Sequence, residues 1–175
     1  MICIVMEIVK YPDDRLKQRC SPVESFDGDL EKLVERMTIL MYESRGVGIS
    51  APQVGIDRNI IIVDPTCGER ALDLRVMVNP NIVWSSHECV RLSEGCLSMP
   101  GTILSIERPE WIEVEYQTLS GERVVSRHGD WFSRIVQHEV DHLRGKMMID
   151  HVSSASKSML LTLYASKKRR RTNAT

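Results

Sequence analysis

Apolar residues fall at helical spacing in three stretches of the chain and alternate or cluster in several others. From Leu30, the positions Leu33, Val34, Met37, Leu40 and Met41 recur every three or four residues, which predicts an amphipathic helix over 29–44. "SRGVG" ends it, with Gly46 expected as the residue after the cap. "NIIIVD" (59–64) and "RVMVNPNIVW" (75–84) are rich in β-branched residues and read as strands. "WIEVEYQT" (111–118) alternates, with Ile112, Val114 and Tyr116 on one face and Glu113 and Glu115 on the other. "LSGER" then turns the chain into "VVSR", a hairpin partner. Trp131, Ile135, Val136, Val140 and Leu143 predict a second helix over about 130–144, stopped by Gly145. Met159, Leu160, Leu163 and Tyr164 mark a third, over about 154–168. "YPDDRLKQRCSPV" (11–23) is Pro-rich and charged, an irregular lead-in. Strands in a block with helices at both ends predict an α+β fold: mixed or antiparallel strands around the 130–144 helix, with a C-terminal helix.

Composition narrows the picture. A chain of 175 residues fits one domain with a real core, here divided as 1–152 for the main body and 153–175 for a final helix and basic tail. A net charge of -1 offers no global attraction to a polyanion; "KKRRR" (167–171) is the local exception. No apolar run approaches the roughly 18 to 20 residues of a membrane span. "MICIVM" is too short for a secretory core and is followed by Glu7, so a cytoplasmic setting without membrane contact is expected. Five cysteines (Cys3, Cys20, Cys67, Cys89, Cys96) with no CxxC pair argue against a disulfide framework.

Candidate chemistry sits inside the second helix. "QHEVDHLRG" (137–145) places His138 and His142 four residues apart, on one face of a helix, with Glu139 beside them. That is the HExxH arrangement, two ligands and a base able to take a proton from water. The third ligand is open on spacing alone. The metzincin extension fails because Met148 stands where its third histidine would be, and no glutamate follows His142. Asp150 and His151 remain downstream. Upstream, Cys96 follows a glycine in the irregular "EGCLSMPG" (94–101) and is preferred to Cys89.

Three stretches together resemble a known family. "GVGISAPQ" (46–53), "EGCLS" (94–98) and "QHEVDHLRG" (137–145) are similar, in order and separation, to the three signature motifs of peptide deformylases. The resemblance runs from the lead-in to "MMIDHV" and implies a small α+β fold that hydrolyses the N-formyl group of formylmethionine on new polypeptides, releasing formate. It implies Fe2+, replaceable by Zn2+, Ni2+ or Co2+, held by Cys96, His138 and His142. Glu139 would move the proton, while the Gln53 side-chain amide and the Leu97 backbone N–H would receive the developing oxyanion. Val47 and Gly48 would flank an extended peptide, and Trp131 and Ile135 would line its methionine pocket. Glu94 and Arg108 would form an ion pair behind the cysteine loop, and Asp141 a further support with no partner assignable from sequence.

Two positions depart from the family pattern. Ser50 stands where many members carry alanine and is expected to leave the loop undisturbed. Arg134 stands where some members carry an apolar pocket residue and, if it points inward, puts the preference beyond methionine in question. By the same resemblance the terminal helix and "SKKRRR" would dock the ribosome through rRNA phosphates, and a monomer is expected. A general HExxH metallopeptidase would share the helix motif. A non-catalytic ribosome- or nucleic-acid-binding protein would require a broken site, whereas every residue of this one is present.

Overall fold

A computed structural model of the chain describes residues 6–69 and 73–172, with side chains described as far as residue 166. Cys3 and the side chains of the 167–171 basic run therefore lie outside the described residues. In chain order the elements are α1 (Gly28–Glu43), β1 (Gly48–Ser50), β2 (Ile60–Val63), β3 (Arg75–Ser85), β4 (Cys89–Gly95), β5 (Ile103–Pro109), β6 (Ile112–Gln117), β7 (Arg123–His128), α2 (Asp130–Leu143) and α3 (Ser154–Thr172). The expected α+β class holds, with every strand pairing antiparallel.

Five strands form one sheet in the order β1-β2-β3-β6-β7. Its faces are covered by different helices. Ile60 and Ile62 of β2 join Val34, Met37 and Met41 of α1, while Ile61 and Val63 join Val136 and Val140 of α2. A strand buried on both faces has no polar side to show, which is why "IIIV" is a continuous apolar run. In contrast β6 turns Ile112, Val114 and Tyr116 toward α2 and leaves the glutamates between them less buried, so it alternates as expected. β3 is interrupted where Asn79 takes φ 53° next to Pro80, and its register against β6 slips there. The Asn79 amide uses that kink to bond both polar groups of Val23, at 2.8 Å each, tying the lead-in to the sheet.

Helix α1 begins at Asp27, whose carboxylate caps the N–H groups of Asp29 and Leu30. It ends in a Schellman turn: Gly46 N–H reaches the Met41 carbonyl at 2.8 Å and Arg45 N–H the Tyr42 carbonyl at 2.9 Å. The left-handed residue of that turn is Arg45, at φ 54°, rather than the glycine expected from sequence. Helix α2 closes the same way with Gly145 at φ 71°. A Cβ at Gly145 would lie 2.3 Å from the Lys17 carbonyl oxygen, because the lead-in crosses the helix end there.

The unforeseen element is the pair β4–β5, hydrogen-bonded from Cys89↔Pro109 to Gly95↔Ile103. Glu94 and Gly95 close β4 rather than belonging to a wholly irregular loop. Leu104 and Ile106 of β5 form a third core with Leu16, Met99 and the turn at 147–149, and Leu160, Leu161 and Tyr164 of α3 pack against it. This small sheet and the large one meet at α2, and the polar side of α2 lies between them.

Candidate metal centre

The inward face of α2 is polar where a core helix is normally apolar: Ser133, Arg134, Gln137, His138, Glu139 and His142 are all buried. Buried polar groups persist only when partnered, and the partners define the site. Gln137 Nε2 donates to the Pro109 carbonyl at 2.9 Å. His138 Nδ1 and Glu94 Oε2 lie 2.9 Å apart. That contact assigns the ring proton to Nδ1 and leaves the Nε2 lone pair facing away from Glu94.

His138, His142 and Cys96 converge. One ligand atom from each lies within 4.8 Å of the other two, and Cys96 Sγ is 3.3 Å from His142 Nε2. In a tetrahedral site with metal–sulfur and metal–nitrogen bonds of ordinary length, such atoms stand about 3.5 Å apart. The donor set therefore fits a divalent cation of borderline softness. Burial would raise the Cys96 thiol, but both imidazoles pull it well below its usual range, favouring the thiolate a metal requires. Cys89 is exposed at the start of β4. Asp150 is taken by Met147 N–H and Lys157, and His151 by Asp141. None of these three joins the cluster.

Glu94 is the hub behind His138. Arg108 donates to it twice, Nε to Oε1 at 2.6 Å and Nη2 to Oε2 at 3.0 Å, and Arg134 Nη1 adds a contact to Oε1 at 2.9 Å. Burial alone would raise the Glu94 carboxyl, but hydrogen bonds from His138 and Arg108 hold it far below the usual carboxylate range. Arg108 Nη1 reaches Asp141 Oδ2 at 2.6 Å, and His151 Nε2 lies 2.6 Å from the same oxygen. The partners of Asp141, unassigned from sequence, are therefore Arg108 and His151. Arg134 does point inward; besides Glu94 it donates to the carbonyls of Ile106 and Val90.

Glu139 is buried, and its Oε2 has no hydrogen-bond partner among the described residues. Burial raises its pKa, the two histidines opposing. A carboxyl whose pKa is raised by burial beside a ligand cluster suits proton transfer in either direction. Its position depends on Gly48, where a Cβ would meet Ile135 Cγ2 at 2.6 Å and Glu139 Oε1 at 2.7 Å. Gly48 thus brings α2 close against β1.

The remaining candidates surround a cavity of about 290 Å³. Val47, Gly48, Leu97, Trp131 and Ile135 line it together with His138 and Glu139, and so do Arg134 and Arg45, the latter absent from the sequence reading. Ile135 is 4% and Trp131 41% exposed, so they occupy the floor and the rim respectively. Gln53 is not a lining residue; it meets the cluster through Cys96, with Nε2 3.6 Å from Sγ. The two loops that carry Gln53 and Leu97 are joined by a crosspiece from the lead-in. Val9 N–H donates to the Gln53 carbonyl, Lys10 Nζ to the Leu97 carbonyl and Tyr11 N–H to the Ser98 carbonyl, at 2.7, 2.7 and 2.9 Å.

A thiolate, two imidazoles, a buried glutamate and a neighbouring cleft can be compared with known proteins. The sequence pattern of the family described as polypeptide deformylase matches residues 5–158. The chain is 37% identical over 162 residues to a peptide deformylase of Rickettsia akari, covering 90% of this chain and 93% of that one. It is 35% identical over 164 residues to one of Thermodesulfovibrio yellowstonii, covering 94% and 99%. Among solved structures, a peptide deformylase from Legionella pneumophila superposes with TM-score 0.88 at 33% identity, covering 96% of this chain and 98% of that one. One from Plasmodium falciparum gives 0.87 at 36% identity, covering 97% and 98%. The likeness spans the whole arrangement, from the lead-in through both sheets to α2, and the chain belongs to the peptide deformylase family.

Proposed function

We propose that this deformylase removes the formyl group of formylmethionyl nascent peptides with Cys96, His138 and His142 as metal ligands and Glu139 as the proton carrier. The observation that supports this most directly is the placement of Glu139. It adjoins the ligand cluster, lines the cleft and is buried with one oxygen unpartnered among the described residues.

The roles of the side chains follow from their positions. β1 is an edge strand of the large sheet, so a peptide in extended form can add beside Gly48, its methionine side chain entering the cleft between Val47, Trp131 and Ile135. A metal in the Cys-His-His site acts as a Lewis acid and lowers the pKa of water. Glu139 takes the proton from the attacking water and returns it to the departing amine. As the formyl carbon becomes tetrahedral, the charge on its oxygen is received by Gln53 Nε2 and the Leu97 N–H, which no backbone group among the described residues occupies. Glu94, pinned by Arg108 and Arg134, keeps His138 in the ligating tautomer.

The mixed thiolate and imidazole set supports Fe2+ as the native ion, with Zn2+, Ni2+ or Co2+ as substitutes. α3, which includes the 167–171 basic run, is proposed as a ribosome-docking segment distinct from the catalytic body at 1–152, in a cytoplasmic monomer; no helix among the described residues is long and apolar enough to cross a membrane. Anaerobic purification with metal analysis, followed by assay of formate release from a formyl-Met peptide, tests the reading. Cleavage of unformylated peptides at internal bonds, without formate, would replace it with a general metallopeptidase.

A further inference from the structure

Ser50 was expected to be an inert small residue, and its contacts say otherwise. It is fully buried, as is nearly all of Gln53 three residues later. Its backbone N–H donates to Gln53 Oε1 at 2.9 Å, and its hydroxyl donates to the same oxygen at 3.0 Å. Both lone pairs of the amide oxygen are thereby engaged, and Nε2 is left facing Cys96.

The orientation of that amide matters more than that of most glutamines. Its oxygen and nitrogen have nearly the same shape, but one repels a developing oxyanion and the other binds it. A half-rotation would turn an acceptor toward the reacting oxygen. It would also press an NH2 group against the Ser50 backbone N–H, which cannot accept. The backbone donor alone excludes the full flip but leaves the amide free to swing about one hydrogen bond. The hydroxyl adds a second anchor in a place where water cannot substitute for it. The local chain favours the arrangement: Ser50 precedes the 3-10 turn Ala51–Val54, and Gln53 occupies its third position.

On the reading of Gln53 as an oxyanion donor, we infer that Ser50 is a positioning residue for deformylation, its hydroxyl holding the Gln53 carboxamide with its NH2 toward the metal cluster before the substrate arrives. Its hydroxyl also lies within hydrogen-bonding reach of Glu139, so the part of its effect that passes through Gln53 is the part that disappears when Gln53 is removed.

Four forms of the metal-loaded enzyme decide the matter: wild type, S50A, Q53A and the double variant, each assayed for kcat and KM of formate release and for bound metal and Tm. S50A is expected to lose about 3- to 10-fold in kcat, a fraction of the 10²–10³ associated with deleting an oxyanion donor outright, with KM and metal content within twofold of wild type. In the Q53A background the same substitution should have no further effect, since nothing remains to position. S50T, which keeps the hydroxyl, should recover part of the rate. An S50A enzyme as fast as wild type would overturn the inference alone, as would a loss that repeats in full beside Q53A, the mark of an effect carried through Glu139 or of general damage to the loop. A Q53A enzyme with unchanged kcat would overturn both this inference and the assignment of Gln53.

Discussion

Two histidines one turn apart on α2 are held in different ways. His138 is backed by a chain of charges, its Nδ1 on Glu94, Glu94 on Arg108 and Arg134, Arg108 on Asp141, and Asp141 on His151. His142 is as deeply buried, but its Nδ1 has no hydrogen-bond partner among the described residues. One ring is oriented by electrostatics and the other by packing and by its neighbour Cys96. A chain of buried charges is costly to desolvate and is stable only while complete. A packed ring has no such dependence. The two rings should therefore respond differently to changes around them.

Glu139 lies between the two and is required by neither for its orientation. Glu139→Ala should reduce kcat by about 10²–10⁴-fold, the range for a general acid–base group, while metal content stays at the wild-type level. Metal analysis beside the formate assay checks both halves, and loss of the metal would show that Glu139 also holds the cluster. Glu94→Ala attacks the His138 side. It leaves Arg108 and Arg134 buried without their carboxylate, which should cost about 3–5 kcal/mol in stability, and it frees the His138 ring, which should weaken metal affinity about 10- to 100-fold. Denaturant titration and competition with a chelator measure the two effects. Unchanged metal affinity would mean that His138, like His142, is held without a charged partner at Nδ1.

Further out the effects should shrink. Burial opposes it, but hydrogen bonds from His151 and the charge of Arg108 depress the Asp141 carboxyl, as Glu94 is depressed by its own partners. A carboxyl whose folded pKa is lowered contributes stability that is fully present above its unfolded value, near 4, and is lost as pH falls through and below it. Tm should thus be nearly flat from pH 7 to about 5 and fall increasingly below about 4.5. Asp141→Asn removes one of these carboxyls and should give a lower Tm at neutral pH with a shallower acid limb. An acid limb as steep as wild type would remove Asp141 from the linkage. His151→Ala, at the partly exposed end of the chain, should cost about 1 kcal/mol or less and leave kcat within a factor of about two.

Where sequence reasoning succeeded, the signal was local. The helix around "QHEVDHLRG" is legible because 3.6 residues per turn aligns His138 with His142 and stacks Val136 and Val140 along a core-facing stripe. β6 is legible through its alternation, and the end of α2 through Gly145. The β4–β5 pair was not legible because its exposed Leu92 and Ile103, with half-buried Val90, blur the two-residue period around the residues that pack inward. The turn after α1 was misplaced by one position because arginine, not glycine, adopts the left-handed conformation there. Ser50 left a trace that could have been read: S-x-x-Q is the pattern of a residue before a helical turn paired with its third position.

The sequence by itself determined two candidate ligands, His138 and His142, with Glu139 beside them, and the order of the three motifs, because those are fixed by residue type and by spacing along one helix. That Cys96 stands with the two histidines was implied by the family resemblance and is a matter of tertiary structure. Beyond the Glu94–Arg108 pair that the family resemblance implied, the contacts that surround them came only from tertiary structure. Glu94 meets His138 across 44 residues and Arg134 across 40, and Arg108 meets Asp141 across 33. No periodicity carries such distances. They are set when two separate sheets close on the polar face of one helix, and each buried charge is retained because its partner arrives from the other side.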